Sequence, residues 1–319
     1  MAHIEGIVIR EHRRHYYVAA GSRVVDCAVS SKLRKQLQYP EAAPGSRRKR
    51  VQAVRRSRVV DPVAIGDHVR IDTGEGNTGL IREILPRRNK ISRRASGSSR
   101  KEQILAANID QLIPVFSVAE PPPDWRMLDR MLAVAEWCEI PAAICFNKLD
   151  LPCPAAFETT ASIYEKIGYP VAFTSIISGR GEEAFLDLLR NRISLFMGPS
   201  GVGKSSLLNW LQPGLELRTR EVSETTGEGR HTTTHTELVE LEAGGMVGDL
   251  PGMREYHLWE IDTEEIPGLF PEFRNLSGHC RFRDCTHVGE PGCIVRDAVD
   301  REDVSRQRYE SYLQLRRNP

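Results

Sequence analysis

Gly198-Pro199-Ser200-Gly201-Val202-Gly203-Lys204-Ser205 reads G-x-x-x-x-G-K-S, the pattern of a loop that wraps nucleotide phosphates. Ahead of it, residues 193–197 (ISLFM) form a short apolar run suited to a buried strand. Behind it, residues 206–211 open a helical pattern. Strand, glycine-rich turn and helix in that succession aim backbone N–H groups and the positive end of a helix dipole at phosphate oxygens. Lys204 is expected to reach the β- and γ-phosphates, and the Ser205 hydroxyl to bind Mg²⁺. Gly198, Ser200, Gly201, Val202, Gly203 and Ser206 complete the expected cradle.

Outward from this loop, strands alternate with helices. Residues 109–118, 141–146 and 171–174 are strand-like, while 125–138, 155–168 and 182–191 carry helical periodicity. Past the loop, residues 235–241 and 246–249 are strand-like again. That alternation predicts an α/β domain, a parallel sheet with helices on both faces.

Three further motifs sit on this frame. Asn147-Lys148-Leu149-Asp150 is N-K-x-D, placed directly after a strand. The Asp150 carboxylate can accept from guanine N1–H and the exocyclic amino group, a donor pair that adenine lacks. Asn147 is expected to meet the purine edge and brace the loop, and the Lys148 stem to pack over the ring. Asp249-Leu250-Pro251-Gly252 is D-x-x-G: Asp249 would hold a metal-bound water, and the Gly252 N–H would approach the γ-phosphate. Gly229-Arg230-His231-Thr232-Thr233-Thr234 has switch-loop composition, and one of its threonines should reach Mg²⁺. Thr174 and Ser175 close the strand after N-K-x-D and are candidates for the last guanine-side loop.

The order of these motifs is informative. Ras-type enzymes run phosphate loop, switch threonine, D-x-x-G, N-K-x-D, whereas here N-K-x-D precedes the phosphate loop. A circularly permuted GTPase domain accounts for that order. The D-x-x-G switch then lies at the domain's C-terminal end, joined to whatever follows, so its movement would pull on the next domain.

The flanks differ in character. Of 44 Lys and Arg and 43 Asp and Glu, residues 1–100 hold 22 and 9, a net charge of +13; the other 219 residues net −12. A basic N-terminal third suggests a polyanionic partner. Residues 6–9, 16–19, 24–29, 67–71 and 79–84 are five short β-type runs, for which a small OB-type barrel is the first candidate. A basic insert at about 38–60 contains RRKR (47–50) and RRSR (55–58), read either as a solvated charge run or as phosphate-backbone contact. Residues 87–101, Ser-, Gly- and Arg-rich, resemble an interdomain linker.

Near the other end, Cys280, Cys285, His287 and Cys293 offer three thiols and one imidazole, the donor set of a closed tetrahedral structural Zn²⁺ site. Arg281, Phe282 and Arg283 inside this knuckle are either core and solvent-facing groups or an RNA-facing surface. Residues 297–317 read as one helix. The remaining cysteines, Cys27, Cys138, Cys145 and Cys153, are scattered, as reduced thiols of a cytosolic chain would be. With 319 residues, 40% hydrophobic and 27% charged, the composition is that of a soluble globular protein of two or three domains. No apolar run approaches 18 residues and the N-terminus lacks signal-peptide layout, so a cytoplasmic protein with no membrane partner is expected.

Taken together, A-A-N-I-D (106–110), N-K-L-D (147–150), G-P-S-G-V-G-K-S-S (198–206), G-R-H-T-T-T (229–234), D-L-P-G (249–252) and C-R-F-R-D-C-T-H (280–287) resemble the RsgA/YjeQ family. These are circularly permuted bacterial GTPases acting in late maturation of the small ribosomal subunit. The resemblance implies an OB-type domain at 1–88, a linker at 89–105, a permuted GTPase domain at 106–258 and a zinc-knuckle and helical domain at 259–319. It also implies GTP as substrate and GDP as product, Mg²⁺, one structural Zn²⁺, small-subunit and rRNA partners, and a monomer. By the family pattern the Mg²⁺ threonine is Thr233. D-L-P-G replaces the commoner D-T-P-G, and the basic insert is longer than usual. Met253 stands where Ras-type enzymes place a water-orienting glutamine, which makes His231, just ahead of the switch threonines, the candidate for that role. Two other readings of the residues remain: a P-loop ATPase or kinase with a chance N-K-x-D, and a nucleic-acid-binding module with a degenerate nucleotide site.

Overall fold

A computed structural model describes residues 3–38, 63–74, 76–94, 102–212, 237–250 and 261–318. The described residues fall into two compact units. One runs through Ile109 and includes the stretch ending at Val239; the other comprises residues from Asp110 and from Glu240 onward.

The first unit contains the expected barrel. Strands β1 (His3–His12), β2 (His15–Ala20), β3 (Arg23–Val29), β4 (His68–Thr73) and β5 (Thr78–Ile84) close in the order β1-β2-β3-β5-β4. The period-2 alternation turns Val8, Val18, Val25, Cys27, Val69, Ile71 and Ile81 inward, where each is buried. Register shifts opposite Val18/Tyr17 and opposite Arg70/Ile71 leave Ile9 of β1 and Arg82 of β5 as extra residues and bend those strands, as closure of a small barrel demands. A helix that the sequence reading did not anticipate, α1 (Ser31–Gln38), follows β3; Leu33 joins the barrel core and the Ser30 hydroxyl accepts from the Leu33 N–H. Beyond Gln38, the basic insert at 38–60 lies outside the described residues, as do its arginine runs.

Of residues 89–105, expected as a linker, the described ones at both ends carry paired backbone. Strands β6 (Lys90–Arg94) and β7 (Glu102–Ala107) form an antiparallel ribbon in which Ile91, Ile104 and Ala106 are buried. Ser92 Oγ donates to Glu102 Oε1 at 2.6 Å, and Lys90 pairs with the same carboxylate. Polar composition hid the ribbon because its cross-strand partners are themselves charged.

The second unit is built on a six-stranded sheet in the order β10-β9-β8-β11-β13-β12. Its strands are β8 (Gln111–Ser117), β9 (Ile144–Asn147), β10 (Val171–Phe173), β11 (Ile193–Met197), β12 (Val239–Glu240) and β13 (Met246–Asp249). β10, β9, β8, β11 and β13 run parallel to one another. Every residue of β8 is buried, as befits a strand covered on both faces. Helices α2 (Trp125–Trp137), α3 (Ala155–Ile167), α4 (Glu182–Leu189) and α5 (Lys204–Leu211) alternate with these strands. The strand bearing the phosphate loop lies mid-sheet although three of its sheet-mates precede it in sequence, the connectivity of a circularly permuted domain.

Beyond the sheet come a 3-10 turn (Ile266–Leu269), α6 (Pro271–Ser277), the Cys/His loops, α7 (Ile294–Asp300) and α8 (Arg306–Arg317). The single helix expected over 297–317 is thus two. The Glu302 N–H donates to the Val299 carbonyl and the Asp303 N–H to the Ala298 carbonyl, with Glu302 at φ 64. That left-handed residue and its bond pair form a Schellman ending, which stops α7. Phe270, Phe273, Val295, Val299, Tyr312 and Leu315 make this module's core, together with Ala133 and Val134 of α2.

Candidate active site

The described site residues stand at the carboxyl ends of the parallel strands, the edge at which open α/β sheets bind ligands. β9 delivers Asn147, β10 leads into Thr174 and Ser175, β11 into Gly198, and β13 ends on Asp249. Gly198 has φ 150, and a Cβ there would sit 2.2 Å from the Val115 carbonyl oxygen. At Gly203, φ 94, a Cβ would sit 2.5 Å from Asn147 Nδ2. Both positions therefore exclude side chains. Lys204 begins α5, and its ammonium donates to the carbonyls of Gly198 at 2.9 Å and Pro199 at 3.1 Å. Ser205 is half-buried in the first turn of α5, Val202 is buried, and Ser200, Gly201 and Ser206 are exposed.

Burial lowers the pKa of Lys204, opposed by the charge of Asp249; burial raises that of Asp249, opposed by Lys204. Asp249 Oδ1 is buried without a hydrogen-bond partner. A buried anionic oxygen beside a phosphate cradle fits a hydrated divalent cation, whose water would supply the missing donor.

At the N-K-x-D loop, the buried Asn147 works at both ends of its amide. Nδ2 donates to the Val202 carbonyl at 3.0 Å and Oδ1 accepts from Thr174 Oγ1 at 3.1 Å. One side chain thereby ties N-K-x-D, the phosphate loop and the end of β10. Lys148, held at φ 62, donates from Nζ to the Glu120 carbonyl at 2.5 Å. Ser175 Oγ donates to Asp150 Oδ1 at 2.6 Å, and the Ser178 N–H donates to Ser175 Oγ. A carboxylate has about four acceptor positions, so one bond from Ser175 sets its rotation and leaves room for two guanine donors. Thr174 thus stands behind Asn147 and Ser175 beside Asp150. His231, Thr233 and Gly252 lie outside the described residues.

Sequence reasoning missed the loop after β8. Ser117 Oγ accepts from the N–H groups of Ala119 and Glu120, which holds the Glu120 carbonyl under Lys148. A serine closing a buried strand ahead of a turn was the available signal.

The second cluster is the Cys/His group. The ligand atoms of Cys280, Cys285, His287 and Cys293 lie within 4.8 Å of one another. His287 Nδ1 is 3.6 Å from Cys280 Sγ and 3.4 Å from Cys293 Sγ. Burial lowers the His287 pKa, favouring the neutral imidazole a metal needs, and pushes the Cys285 thiol up to about 12. A bound cation would reverse the latter and hold thiolates, so three sulfurs and one nitrogen at this spacing fit a tetrahedral metal. The loop is held from outside: Tyr309 donates to the His287 carbonyl at 2.6 Å, and Tyr312 to the Thr286 carbonyl at 2.5 Å. The Glu290 carboxylate accepts from the N–H groups of Thr286, Val288 and Gly289.

Comparison with known proteins agrees with this geometry. The family profile described as RsgA GTPase matches residues 84–259. The chain belongs to the RsgA GTPase family. A "Small ribosomal subunit biogenesis GTPase RsgA" from Gemmatimonas aurantiaca is 48% identical over 80% of this chain and 83% of its own length. Another of that name, from Caldanaerobacter subterraneus, is 37% identical over 99% of this chain and 96% of its own. Among solved structures, YjeQ from Thermotoga maritima aligns with a TM-score of 0.75 at 29% identity, covering 99% of this chain and 98% of that one. YloQ, described as a circularly permuted GTPase, aligns at 0.68 and 28%, covering 100% and 97%. This RsgA-family chain is accordingly a GTPase of permuted fold with an N-terminal five-stranded barrel.

Proposed function

We propose that this chain binds the small ribosomal subunit and couples GTP hydrolysis to late subunit maturation and to its own release. The relatives' shared name supports the subunit assignment. One observation carries the nucleotide assignment: Asn147 joins the guanine-reading loop to the Val202 carbonyl of the phosphate loop at 3.0 Å. Two recognition elements held that closely favour one ligand with a guanine and a phosphate chain over two unrelated turns.

In this reading Asp150, oriented by Ser175, selects guanine; Lys148 covers the base; and Gly198 to Ser206 wrap the phosphates with Lys204 as the principal cation. Ser205, Thr233 and Asp249 would hold Mg²⁺ directly or through water, and Gly252 would sense the γ-phosphate. Mg²⁺, when bound, neutralises charge developing across the β- and γ-phosphates. His231 would position the attacking water in place of the glutamine replaced by Met253. Cys280, Cys285, His287 and Cys293 would hold one structural Zn²⁺. The basic N-terminal third, barrel and insert together, would contact rRNA. We take the working domains as 1–88, 106–258 and 259–319, and the protein as a cytoplasmic monomer; no described helix is long and apolar enough to cross a membrane.

The deciding experiment measures GTP and ATP turnover with and without purified small subunits, alongside binding of fluorescent GDP and ADP. Turnover of GTP alone, raised by subunits, is expected. Equal binding of GDP and ADP would point to a P-loop ATPase, and GDP binding without any turnover to a degenerate site.

A further inference from the structure

The site's own residues do not use the most deeply buried charges of the second unit. Arg308, on α8, is 1% exposed. Its guanidinium grips Glu272 of α6 as a fork, Nε to Oε1 at 2.7 Å and the second terminal nitrogen to Oε2 at 3.0 Å. The remaining terminal nitrogen donates to Asp129 Oδ1 of α2 at 2.8 Å. Tyr164 of α3 donates to that same Asp129 oxygen at 2.8 Å, and Gln307 donates to the Tyr164 hydroxyl at 3.2 Å. The guanidinium also stands over Phe270 at 4.7 Å and near Tyr164 at 5.7 Å. Burial opposes charge on Arg308, but Asp129 and Glu272 more than offset it and hold its pKa above the ordinary arginine value. Burial raises the pKa of Asp129, against the pull of Arg308.

From this triad two short paths lead to the guanine loop. Asp129 lies just over one turn into α2, whose start is capped by Asp124 accepting from the Met127 N–H. The loop ahead of that cap carries the Glu120 carbonyl that receives Lys148. On the second path Tyr164 stacks on Trp125, with centroids 6.0 Å apart, and Trp125 meets Phe146 edge-on at 5.7 Å. Phe146 immediately precedes Asn147. A buried charge costs several kcal/mol unless its partners are fixed, so the triad sets the position of α2 and Tyr164 more tightly than apolar packing would.

Resting on the GTPase reading above, we infer that Arg308 is a positioning residue for guanine-nucleotide binding: through Asp129 and Tyr164 it sets α2 and thereby the Glu120–Lys148 clasp and the Asn147 strand end. The C-terminal helix is then a structural part of the nucleotide site. A partner that shifts α8 changes guanine affinity, and by linkage guanine nucleotide changes the affinity for that partner.

The test uses the full chain, with a fluorescent GDP analogue, thermal unfolding and far-UV circular dichroism. Arg308→Met keeps the apolar stem against Phe270 and Tyr164 but removes the fork; GDP affinity should fall at least tenfold, mainly through faster release. Adding Asp129→Asn removes the stranded carboxylate, so thermal stability should recover while the GDP defect stays. GDP affinity within threefold of the parent in Arg308→Met, or affinity recovering in step with stability in the double variant, overturns the assignment. If Arg308→Met does not fold, Asp129→Asn alone decides: it keeps a neutral acceptor for Arg308 and Tyr164, and GDP release should speed at least threefold with unchanged circular dichroism. Unchanged release there also overturns it. As a control, Arg316→Ala, which removes a bond from the same helix to the Thr263 carbonyl, should leave GDP release unaltered; a defect as large as that of Arg308→Met would mean any loosening of α8 suffices and defeats the special role of Arg308. A parent chain that binds ADP as well as GDP fails the GTPase reading instead, a separate result.

Discussion

Asn147→Ala is the perturbation whose size the structure fixes best. The amide is 1% exposed and makes two hydrogen bonds, to the Val202 carbonyl at 3.0 Å and from the Thr174 hydroxyl at 3.1 Å. Truncation strands a buried acceptor and a buried hydroxyl, each at about 1–3 kcal/mol, so a total of about 2–6 kcal/mol is expected. If the lost energy falls on the loop conformation that holds phosphates, roughly 30-fold or more of GDP affinity goes with it, at about 1.4 kcal/mol per tenfold. Thr174→Val removes only one of the two bonds and should cost about 1 kcal/mol, or roughly fivefold.

The assay is titration with a fluorescent GDP analogue, repeated with the inosine diphosphate counterpart, which lacks the 2-amino group read by Asp150. A brace acts regardless of base, so Asn147→Ala should weaken both nucleotides by the same factor. GDP affinity within threefold of the parent would refute the brace. A loss confined to the guanine nucleotide would show instead that Asn147 acts through recognition of the 2-amino group.

Asp150→Asn should lower affinity for GDP and raise it for xanthosine diphosphate, measured by competition; tight GDP binding with indifference to xanthine would remove Asp150 from the guanine site. Cys285→Ser should reduce bound zinc below one per chain, by mass spectrometry or atomic absorption, and lower the thermal midpoint; stoichiometric zinc retained by a Cys280/Cys285 double serine variant would exclude this donor set. Asp72 in β4 has its pKa lowered chiefly by the Arg82 hydrogen bond, opposed by burial. A lowered folded pKa contributes stability above the unfolded value of about 3.9 and loses it as pH falls through the folded value. Asp72→Asn should therefore unfold at lower temperature than the parent at pH 7, with the gap narrowing as pH falls below about 3.9; a gap that does not narrow as pH falls would assign the effect to packing.

What the sequence made legible was chemistry carried by neighbours in the chain. The phosphate loop, N-K-x-D and the Cys/His group are each local, and the barrel strands announced themselves by alternation. Position in the fold was harder wherever charge served the interior. α1 went unread because Ser31-Lys32-Leu33-Arg34-Lys35 offers one apolar anchor in a polar run, and the anchor's value depends on a barrel that folds around Leu33. The β6–β7 ribbon looked like a linker because its pairing uses Lys90, Ser92 and Glu102. Within residues 297–317, read as one helix, nothing in the sequence singles out Arg308 from its neighbouring arginines. Only the approach of α2 and α6 supplies the two carboxylates that bury it, and no pattern within α8 encodes them.

The permuted order has a mechanical consequence visible in the pairing of the sheet. β11, which carries the phosphate loop, is flanked by β8 and β13. β8 is the strand through which the chain enters from the barrel unit, and the entry is fixed at its first step: the Asp110 N–H donates to the Ile193 carbonyl, and Asp110 Oδ2 accepts from the Ile193 N–H at 2.7 Å. β13 is the strand from which the chain departs, ending on Asp249, with residues 251–260 between Leu250 and the C-terminal module. Both accessory parts are thus tied by chain to the immediate neighbours of the phosphate strand. In an unpermuted order, further strands and helices of the sheet would follow the D-x-x-G strand before the chain could leave the domain. Here a movement at Asp249 would have a short covalent route out, and on the inference above Arg308 on α8 would offer a second route through α2 to the N-K-x-D side of the same site. Two routes from one site into one module are what a switch needs if the module is to respond both to the presence of the base and to the state of the γ-phosphate.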